Sequence, residues 1–540
     1  MENNVSRRDF MKGAGAVLAG AAAMGLAGCA SQEAGDNLAG TGEAATSDIA
    51  WDRETDVLVV GLGLAGCASA MSAADAGVQV LVVEKAPADF AGGASRVNGG
   101  FITVSEEFQD LEYCCRNVKG AFDREVMASH LDAVPMMEDW LEDEEVDGLE
   151  YAEFPGYVGY YNPKGLWDSY PSFVQHVTDR GVEIMYETPA VDLITNDAGE
   201  VIGAYAEQNG NRIAIKANKG VILCSGSYNA SPELIERFAY PSVYIANLDS
   251  PYNTGDAIGM AERINAKIGG FIPDPLCWMG YVITAPSREA ETGVQWNQPD
   301  DANGAYMMVN RFGERFHDET VSYGHARSIA PQMLWEEEIN DYRNTPFWVV
   351  FNQDVLDNTR VGKYTAQEEF DPSWGTPVTM TWNGVFKNQP WSQDNAAEVE
   401  RGWIVKGDTI EELAAAMTTT NGFGDTVNMD AAGLAASAAA FDAGIAAGAD
   451  AFGRDVATMA PLGSGPYYAC ELSLGVIQSF GGPVVNADNQ VLSNTGEPVG
   501  RLYAAGIVSF IFAKTSANPT ALISGLQSGQ AAAALESWSA

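Results

Sequence analysis

Three glycines between a buried strand and a helix could hold the phosphates of a dinucleotide. The run Gly61-Leu62-Gly63-Leu64-Ala65-Gly66 follows the apolar segment 56–60, and Glu84 comes 23 residues after Gly61. In this spacing Gly61 permits a tight turn, Gly63 lets a pyrophosphate approach the backbone, and Gly66 lets the helix pack closely on the strand. Glu84 could bind ribose hydroxyls. The pattern predicts a dinucleotide site at a helix N-terminus, where N–H groups and the helix dipole favour anions.

The elements that must position these residues form a strand–turn–helix–strand unit, with a helix over 67–77 and a strand over 78–83. Downstream, an Ala-rich segment, 431–452, predicts one helix, whereas 331–408 is rich in Trp, Pro, Asn and Asp and predicts irregular loops. Asn518-Pro519-Thr520 predicts the start of a last helix that reaches about Trp538, with Asn518 as its N-cap.

Further glycine clusters mark turns or helix starts along the chain. They are Gly92-Gly93-Ala94-Ser95, Asn98-Gly99-Gly100, Ser225-Gly226 after a buried strand, the segment 253–260 with Asp256, and the segment 502–506 ending in Gly506.

The acidic composition excludes several classes of protein. The 540 residues carry 73 acidic and 30 basic side chains, which gives a formal net charge of −43. This balance argues against binding to nucleic acid and against electrostatic docking on anionic lipid. The seven cysteines form no C-x-x-C, so thioredoxin-like chemistry and the usual haem, zinc and iron–sulfur spacings are absent from the sequence. We expect no metal site.

The N-terminal segment predicts an export signal. The stretch Ser6–Lys12 contains Arg7-Arg8 and precedes an apolar run over 13–28, and this pattern resembles a twin-arginine signal. Leu26-Ala27-Gly28-Cys29 resembles a lipobox, whose cysteine carries the lipid. These motifs predict a signal peptide over 1–28, a flexible tether over 29–53, and an exported lipoprotein of the cell envelope that is held to the membrane only through Cys29. The alternative is an ordinary apolar helix.

Taken in order, the glycine motifs resemble the FAD-binding domain of the fumarate reductase flavoprotein and 3-ketosteroid Δ1-dehydrogenase superfamily. That family shows E-K-x-P, G-G-N-S-x-x-S-G-G, A-T-G-G-F, T-G-D-G and L-Y-A-A-G-E in this order, and the stretches 309–319 and 434–454 add to the match. The resemblance implies an α/β fold, in which a Rossmann-like FAD-binding domain is interrupted by an α+β capping domain. The expected boundaries are 54–272 and 463–540 for the FAD-binding domain and 273–462 for the cap.

The resemblance also implies non-covalent FAD and places its contacts. Val191 would meet the adenine through its main chain, and the final helix would point its N-terminus at the flavin. Ile507 stands where the family has Glu. The expected cofactor-binding residues are Gly61, Gly63, Ala65, Gly66, Glu84, Lys85, Gly92, Gly93, Ala94, Ser95, Gly99, Gly100, Val191, Ser225, Gly226, Asp256, Gly506, Leu522 and Ile523.

Three departures from the dicarboxylate reductases of the family concern the substrate. Tyr323 stands four residues after Glu319, where those enzymes carry a proton-donating Arg. The segment 477–482 replaces their H-x-M-G-G, and Ala517-Asn518-Pro519 replaces their A-N-R. Arginine forks are what favour carboxylate binding in a dry site. Their loss predicts a neutral or weakly charged substrate.

A tyrosine at the proton-donor position resembles the ketosteroid dehydrogenases, in which it handles a proton beside the flavin. Tyr160 and Tyr161 resemble the supporting D-Y-Y-P of that group, so Tyr323, Tyr161 and Tyr160 are the expected catalytic residues. The run 515–520 lacks the T-Y-P-G-x-G that binds a steroid carbonyl, which argues against a 3-ketosteroid.

The sequence therefore predicts an extracytoplasmic FAD-dependent reductase of a C=C bond conjugated to a carbonyl, with hydride from flavin N5 and a proton from Tyr323. Two alternatives are a ketone α,β-dehydrogenase that runs the reverse reaction and an exported flavin electron carrier without turnover. Because the sequence has no haem or iron–sulfur motif, the expected partners are a small-molecule substrate and a separate membrane or cytochrome electron donor.

Overall fold

The computed structural model of the chain describes residues 49–96, 100–105, 110–112, 123–154, 157–164, 166–240, 242–270, 276–285, 294–296, 298–299, 304–320, 331–363, 391–392, 394–421, 424–509 and 517–538. The predicted signal peptide with Cys29, most of the predicted tether, Gly99 and Tyr323 lie outside these residues. No helix in the described ranges is both long enough and apolar enough to cross a membrane.

The described helices are α1 Leu64–Asp75, α2 Gly93–Arg96, α3 Arg124–Asp132, α4 Val134–Glu144, α5 Leu166–Asp179, α6 Pro232–Phe238, α7 Asp256–Arg263, α8 Gln353–Asn358, α9 Ala396–Arg401, α10 Ile410–Ala416, α11 Ala431–Ala447 and α12 Ala517–Ala534.

The described strands are β1 Arg53–Val60, β2 Val80–Val83, β3 Phe101–Ser105, β4 Glu150–Phe154, β5 Tyr157–Tyr161, β6 Glu183–Met185, β7 Ala190–Thr195, β8 Val201–Gln208, β9 Asn211–Leu223, β10 Ile245–Asn247, β11 Ile268–Gly269, β12 Leu276–Ile283, β13 Val294–Trp296, β14 Tyr306–Asn310, β15 Trp335–Glu336, β16 Asp341–Tyr342, β17 Phe347–Asn352, β18 Gly362–Lys363, β19 Val405–Gly407, β20 Thr418–Thr420, β21 Thr426–Asn428, β22 Tyr467–Ser479, β23 Gly482–Pro483, β24 Gln490–Leu492 and β25 Pro498–Ala504.

The first large sheet runs in the order β24-β25-β9-β1-β2-β6, with β8 on β9 and β7 on β8. Five consecutive strands, β25, β9, β1, β2 and β6, pair in parallel, and Val57 lies opposite both Val80 and Gly220. The apolar run Val57–Val60 is almost wholly buried. Such uninterrupted apolar strands fit a parallel sheet that is covered on both faces. The predicted α/β fold class is confirmed.

Helices α1 and α12 pack against each other through small residues. A Cβ on Gly525 would lie 2.6 Å from the carbonyl oxygen of Ala65, and one on Gly529 would lie 2.5 Å from that of Ser69. The Ser72 hydroxyl donates to the carbonyl of Leu526 at 2.9 Å. Glycine at these positions therefore allows the two helix backbones to approach closely, and the last helix of the chain is held against the first.

The second large sheet is built around β22 and runs in the order β14-β17-β22-β12-β13-β18, with β10 and β19 also paired to β22. Strand β17 lies near its centre and is buried over Phe347–Phe351. The expectation of irregular loops over 331–408 is therefore wrong for this stretch, because the polar and Pro-rich flanks hid a short apolar strand. Strand β22 lies after the expected boundary at 462 but pairs with β12, β17 and β19 of the expected cap and with β10 of the expected FAD-binding domain. The domain limits remain a prediction.

The two stretches that extended the family match meet beside this sheet. Arg315 pairs with Glu319 through Nε at 2.7 Å and also pairs with Asp450. Arg454 lies 3.3 Å from the same Glu319 and donates to the carbonyl of Tyr306 at 2.9 Å. All of these groups are buried, so each charge is neutralised by a partner. The predicted helix over 431–452 is α11, which ends earlier because Gly448 adopts φ 68°.

Candidate functional site

A cleft of about 890 Å³ opens at the carboxyl ends of β1, β2, β9 and β25. These neighbouring parallel strands each lead into a glycine-rich or polar turn, and ligands of open α/β sheets bind at this edge. The predicted cofactor-binding residues that line the cleft are Gly61, Gly63, Ala65, Glu84, Lys85, Gly92, Gly93, Ala94, Ser95, Ser225, Gly226, Asp256 and Gly506.

The turn between β1 and α1 requires its glycines. Gly61 has φ 102°, and a Cβ there would lie 2.5 Å from the carbonyl oxygen of Cys224. A Cβ on Gly66 would collide with the carbonyl oxygen of Gly61. The buried Tyr170 hydroxyl donates to the carbonyl of Leu62 at 2.6 Å and holds the turn from α5. Gly66 thus packs the helix and does not line the cleft.

The end of β2 presents Glu84 to the same turn. Its carboxylate accepts from the backbone N–H groups of Leu62 at 2.7 Å and Ala86 at 2.8 Å. Burial raises the pKa of Glu84, and these two hydrogen bonds oppose that rise. Glu84 therefore lies at the cleft, but its binding of ribose stays a prediction.

Lys85 joins this edge to the start of α7. Its Nζ lies 2.9 Å from Asp256 Oδ2, and it also donates to the Thr254 hydroxyl. Thr254 in turn donates to the other carboxylate oxygen of Asp256 at 2.8 Å. Two residues that were predicted from separate motifs are thus an ion pair in one wall of the cleft.

Two observations show room and unused hydrogen-bonding capacity for a ligand. The Ser225 Oγ is buried and has no hydrogen-bond partner within the described ranges. A Cβ on Gly63 would lie 3.4 Å from Ser95 Oγ and 3.5 Å from the carbonyl oxygen of Gly92, so the backbone of Gly63 is left open beside a hydroxyl and a carbonyl. These features fit a dinucleotide that lies against backbone and hydroxyl groups.

The N-terminus of α12 reaches the cleft through Ala517, Asn518 and Ala521. Gly506 has φ 77°, and its N–H donates to Ser524 Oγ at 2.8 Å, which ties the turn after β25 to this helix. The first N–H groups of a helix lack intrahelical partners and carry a partial positive charge. This end of α12 can therefore stabilise negative charge on a ligand in the cleft.

Several predicted residues lie beside the cleft rather than in its wall. Leu522 and Ile523 are fully buried in the core, since their side chains point into the α1–α12 packing. Ala190 lines the cleft in place of Val191, which lies at a register shift of β7 and whose carbonyl accepts from Arg263 at 2.6 Å. Gly100 is described but does not line the cleft.

The prediction of Asn518 as the N-cap of α12 is wrong, because the helix already includes Ala517. The Asn518 amide donates instead to the carbonyl of Phe101 on β3 at 2.6 Å.

The predicted supporting tyrosines are adjacent on β5, between β3 and β4. The Tyr161 ring lies 4.5 Å from that of Phe101, whereas the Tyr160 hydroxyl donates to the carbonyl of Glu138 at 3.5 Å. Burial raises the pKa of both phenols. Since successive strand residues face opposite ways, only one of them can face the start of α12. Phe101 contacts Tyr161 through its ring and Asn518 through its carbonyl, so Tyr161 is the better candidate for the tyrosine that faces the start of α12. Neither tyrosine lines the cleft.

The cleft wall also contains residues that were not predicted to bind the cofactor. Among them are Cys224, Tyr252, Asn253, Gln478 and Ala521. Asn253 is the first residue of the predicted segment 253–260, Tyr252 directly precedes that segment, and Cys224 directly precedes Ser225. The binding residues were therefore chosen too narrowly in and around these motifs. Gln478 was seen only as a departure from a family motif, and its place in the wall depends on the pairing of β22.

Comparisons with known proteins agree with this geometry. A family model described as an FAD binding domain matches residues 56–168 and 171–519. Vinyl phenol reductase of Lactiplantibacillus plantarum is 26% identical over 84% of this chain and 89% of its own length. Digoxin reductase of Eggerthella lenta is 24% identical over 100% of this chain and 98% of its own length.

Solved structures show the same fold. The open conformation of a flavocytochrome c3 fumarate reductase superposes with a TM-score of 0.61 at 22% identity, over 89% of this chain and 78% of that one. The 3-ketosteroid Δ1-dehydrogenase of Sterolibacterium denitrificans superposes with a TM-score of 0.62 at 20% identity, over 89% of this chain and 100% of that one.

Proposed function

Because the chain belongs to the FAD binding domain family and is an FAD-dependent oxidoreductase, we propose that it reduces a C=C bond conjugated to a carbonyl in a neutral or weakly charged organic substrate. The bound flavin supplies the hydride at N5. The glycine turn of Gly61 and Gly63 would hold the pyrophosphate, and the start of α12 would stabilise negative charge at the flavin end. Tyr323 is proposed to hold the proton that the substrate receives.

The observation that carries the neutral substrate is the chemistry of two wall residues. Gln478 occupies the position of the family's His, and Asn518 stands in the altered A-N-R motif, and both line the cleft. Amides can donate to a carbonyl oxygen without adding charge, whereas carboxylates are bound best by arginine forks. Lys85, the cation among the described lining residues, is already paired with Asp256.

The names of two relatives support reduction of C=C bonds in organic compounds other than dicarboxylates. These are the vinyl phenol and digoxin reductases, and a relative of Sinomonas cyclohexanicum is named 4-oxocyclohex-2-ene-1-carboxylate 5-dehydrogenase. That last name favours a ketone α,β-dehydrogenase as the second candidate. The N-terminal motif with Arg7, Arg8 and Cys29 supports export as a lipoprotein that takes electrons from a separate membrane or cytochrome donor.

The test is anaerobic reoxidation of the photoreduced holoenzyme, followed by flavin absorbance. We expect 2-cyclohexenone or a cinnamate ester to reoxidise the flavin, and fumarate to leave it reduced. Rapid turnover of fumarate would contradict the neutral substrate. No reoxidation by any of the compounds, with oxidation of a saturated ketone by an artificial acceptor, would favour the dehydrogenase, and no turnover in either direction would favour an electron carrier.

The role of Tyr323 has its own test. Tyr323→Phe is expected to bind FAD normally but to lose at least about a hundredfold in reoxidation rate, since a positioned general acid typically contributes that much or more. Tyr151→Phe is the matched control, because the Tyr151 side chain is 56% exposed on β4. Turnover unchanged by Tyr323→Phe would remove this tyrosine from the reaction.

Export and anchoring are tested in the native cell. Fractionation should place the protein in the envelope and a labelled fatty acid should be incorporated, and Cys29→Ser should abolish the label. Soluble, unlabelled protein in the cytoplasm would refute this part of the proposal.

A further inference from the structure

The amide of Asn253 is buried in the wall of the cleft, and its two ends have different surroundings. Its Nδ2 donates to Asp249 Oδ2 at 2.6 Å. An ionised carboxylate can only accept, so the NH₂ group must be the end that faces Asp249. The Oδ1 faces the opposite way, where a Cβ on Gly226 would lie 3.0 Å from it and a Cβ on Gly93 3.3 Å.

This oxygen is held in place by a fixed backbone. The Asn253 N–H donates to the carbonyl of Ser250 at 3.2 Å, and its carbonyl accepts from the Ala230 N–H at 2.9 Å, so the backbone is fixed on both sides. No donor within the described ranges hydrogen-bonds to Oδ1. Gly93 and Gly226, which both line the cleft, have positive φ and leave the space open around it.

We propose that Asn253 is a cofactor-binding residue whose amide oxygen accepts a hydrogen bond from a hydroxyl or ring N–H of FAD, and that Asp249 is the positioning residue that turns this oxygen toward the cleft. An amide oxygen is only an acceptor, so it suits these donors and not the phosphate oxygens. The inference rests on the FAD site and is independent of the substrate proposed above.

Asp249 gives this arrangement a dependence on pH. Burial raises the pKa of Asp249 to about 7, although hydrogen bonds from Ser250, Asn253 and Asn229 oppose the rise. A protonated Asp249 can donate to the amide oxygen, which allows the amide to turn and present NH₂ to the cleft. FAD binds the orientation in which Oδ1 of Asn253 faces the cleft. The affinity of the protein for FAD should therefore fall as the pH falls through 7.

Other charged groups on the neighbouring elements have partners of their own. Leu248, next to Asp249, donates its N–H to β22, which carries Glu471, and Glu471 accepts from Thr419. On the other side, Asp256 at the start of α7 is paired with Lys85. No described hydrogen bond or ion pair joins Asp249 to any of these groups.

The experiment measures the Kd of FAD for the apoprotein by quenching of flavin fluorescence at pH 6 and pH 8. The variants are Asn253→Leu, Asp249→Asn and, as the control, Asp197→Asn on an exposed turn. Asn253→Leu should weaken FAD roughly tenfold at pH 8, the value of one hydrogen bond of about 1.4 kcal/mol. The unsubstituted protein and Asp197→Asn should bind several-fold more weakly at pH 6 than at pH 8.

Asp249→Asn should bind FAD equally at both pH values, since its amide oxygen still accepts from Asn253 but cannot titrate. If Asp249 had only a structural role, the substitution Asp249→Asn would leave the pH dependence of FAD binding in place. Unchanged affinity in folded Asn253→Leu, or a pH profile that persists in Asp249→Asn, would overturn the inference. Because asparagine has the same shape as aspartate, Asp249→Asn still tests the inference if Asn253→Leu does not fold. Both readouts precede any substrate, so their failure is distinguishable from failure of the reductase proposal.

Discussion

Substituting Gly525 by Ala tests how tightly the last helix is held against the glycine turn. The new Cβ would lie 2.6 Å from the Ala65 carbonyl oxygen and 2.9 Å from the Ala68 Cβ. Non-bonded carbon contacts are most favourable at about 3.5–4.0 Å, so the helices must separate by several tenths of an ångström. Overpacking of this kind costs about 1–3 kcal/mol. The gain of Ala over Gly inside a helix is about 1 kcal/mol in the other direction.

Gly259→Ala isolates the packing cost. Gly259 is also inside a helix, α7, but the nearest atom to its added Cβ is the far end of the Arg263 side chain, at 3.3 Å. That side chain can move, so we expect Gly259→Ala to be neutral or to stabilise by up to about 1 kcal/mol. The gain in helix propensity from Gly to Ala is the same in both variants and cancels between them. The expected difference in their unfolding free energies is therefore the packing cost of about 1–3 kcal/mol.

The assay is urea unfolding of both apoproteins followed by circular dichroism, with the Kd of FAD as a second readout. Because Ala65 also lines the cleft, Gly525→Ala should weaken FAD binding, and Gly259→Ala should not. If Gly525→Ala stabilised the protein as much as Gly259→Ala and left the FAD affinity unchanged, the close helix contact would not exist in solution.

Three further predictions concern single side chains. Tyr170→Phe leaves the Leu62 carbonyl without its buried donor and should cost about 1–3 kcal/mol in urea unfolding, with faster loss of FAD. Burial lowers the pKa of His130 to about 4, below its usual 6.5. As the pH falls, His130 is therefore protonated in the unfolded chain before it is protonated in the folded protein, and the free energy of unfolding should fall by about 3 kcal/mol between pH 6.5 and pH 4. His130→Leu should remove this pH-dependent loss of stability, and an unchanged pH profile in that variant would refute the prediction. Thr409→Ala breaks the capping box with Glu412 and should cost about 1 kcal/mol, which Thr409→Ser should largely restore in thermal unfolding.

The sequence by itself determined the local units of the site. The turn at Gly61–Gly66, the helix start at Asp256 and the strand end before Ser225 follow from glycine conformation and from short apolar runs. These requirements involve only a few neighbouring residues, so they can be predicted from the sequence without the fold. The family resemblance ordered them and supplied the cofactor, which the family match confirms.

Only the tertiary structure decided which distant residues meet. The order of the parallel strands brings Lys85 to Asp256 and Tyr170 to the glycine turn, and the α1–α12 contact requires Gly525. The same packing buries the side chain of Leu522 in the core, although the family resemblance had placed this residue at the cofactor. Contacts across a hundred residues or more depend on sheet order and on helix-to-helix distance. Local sequence encodes neither, which is why the wall residue Gln478 on β22 and the helix interface emerged only from the fold.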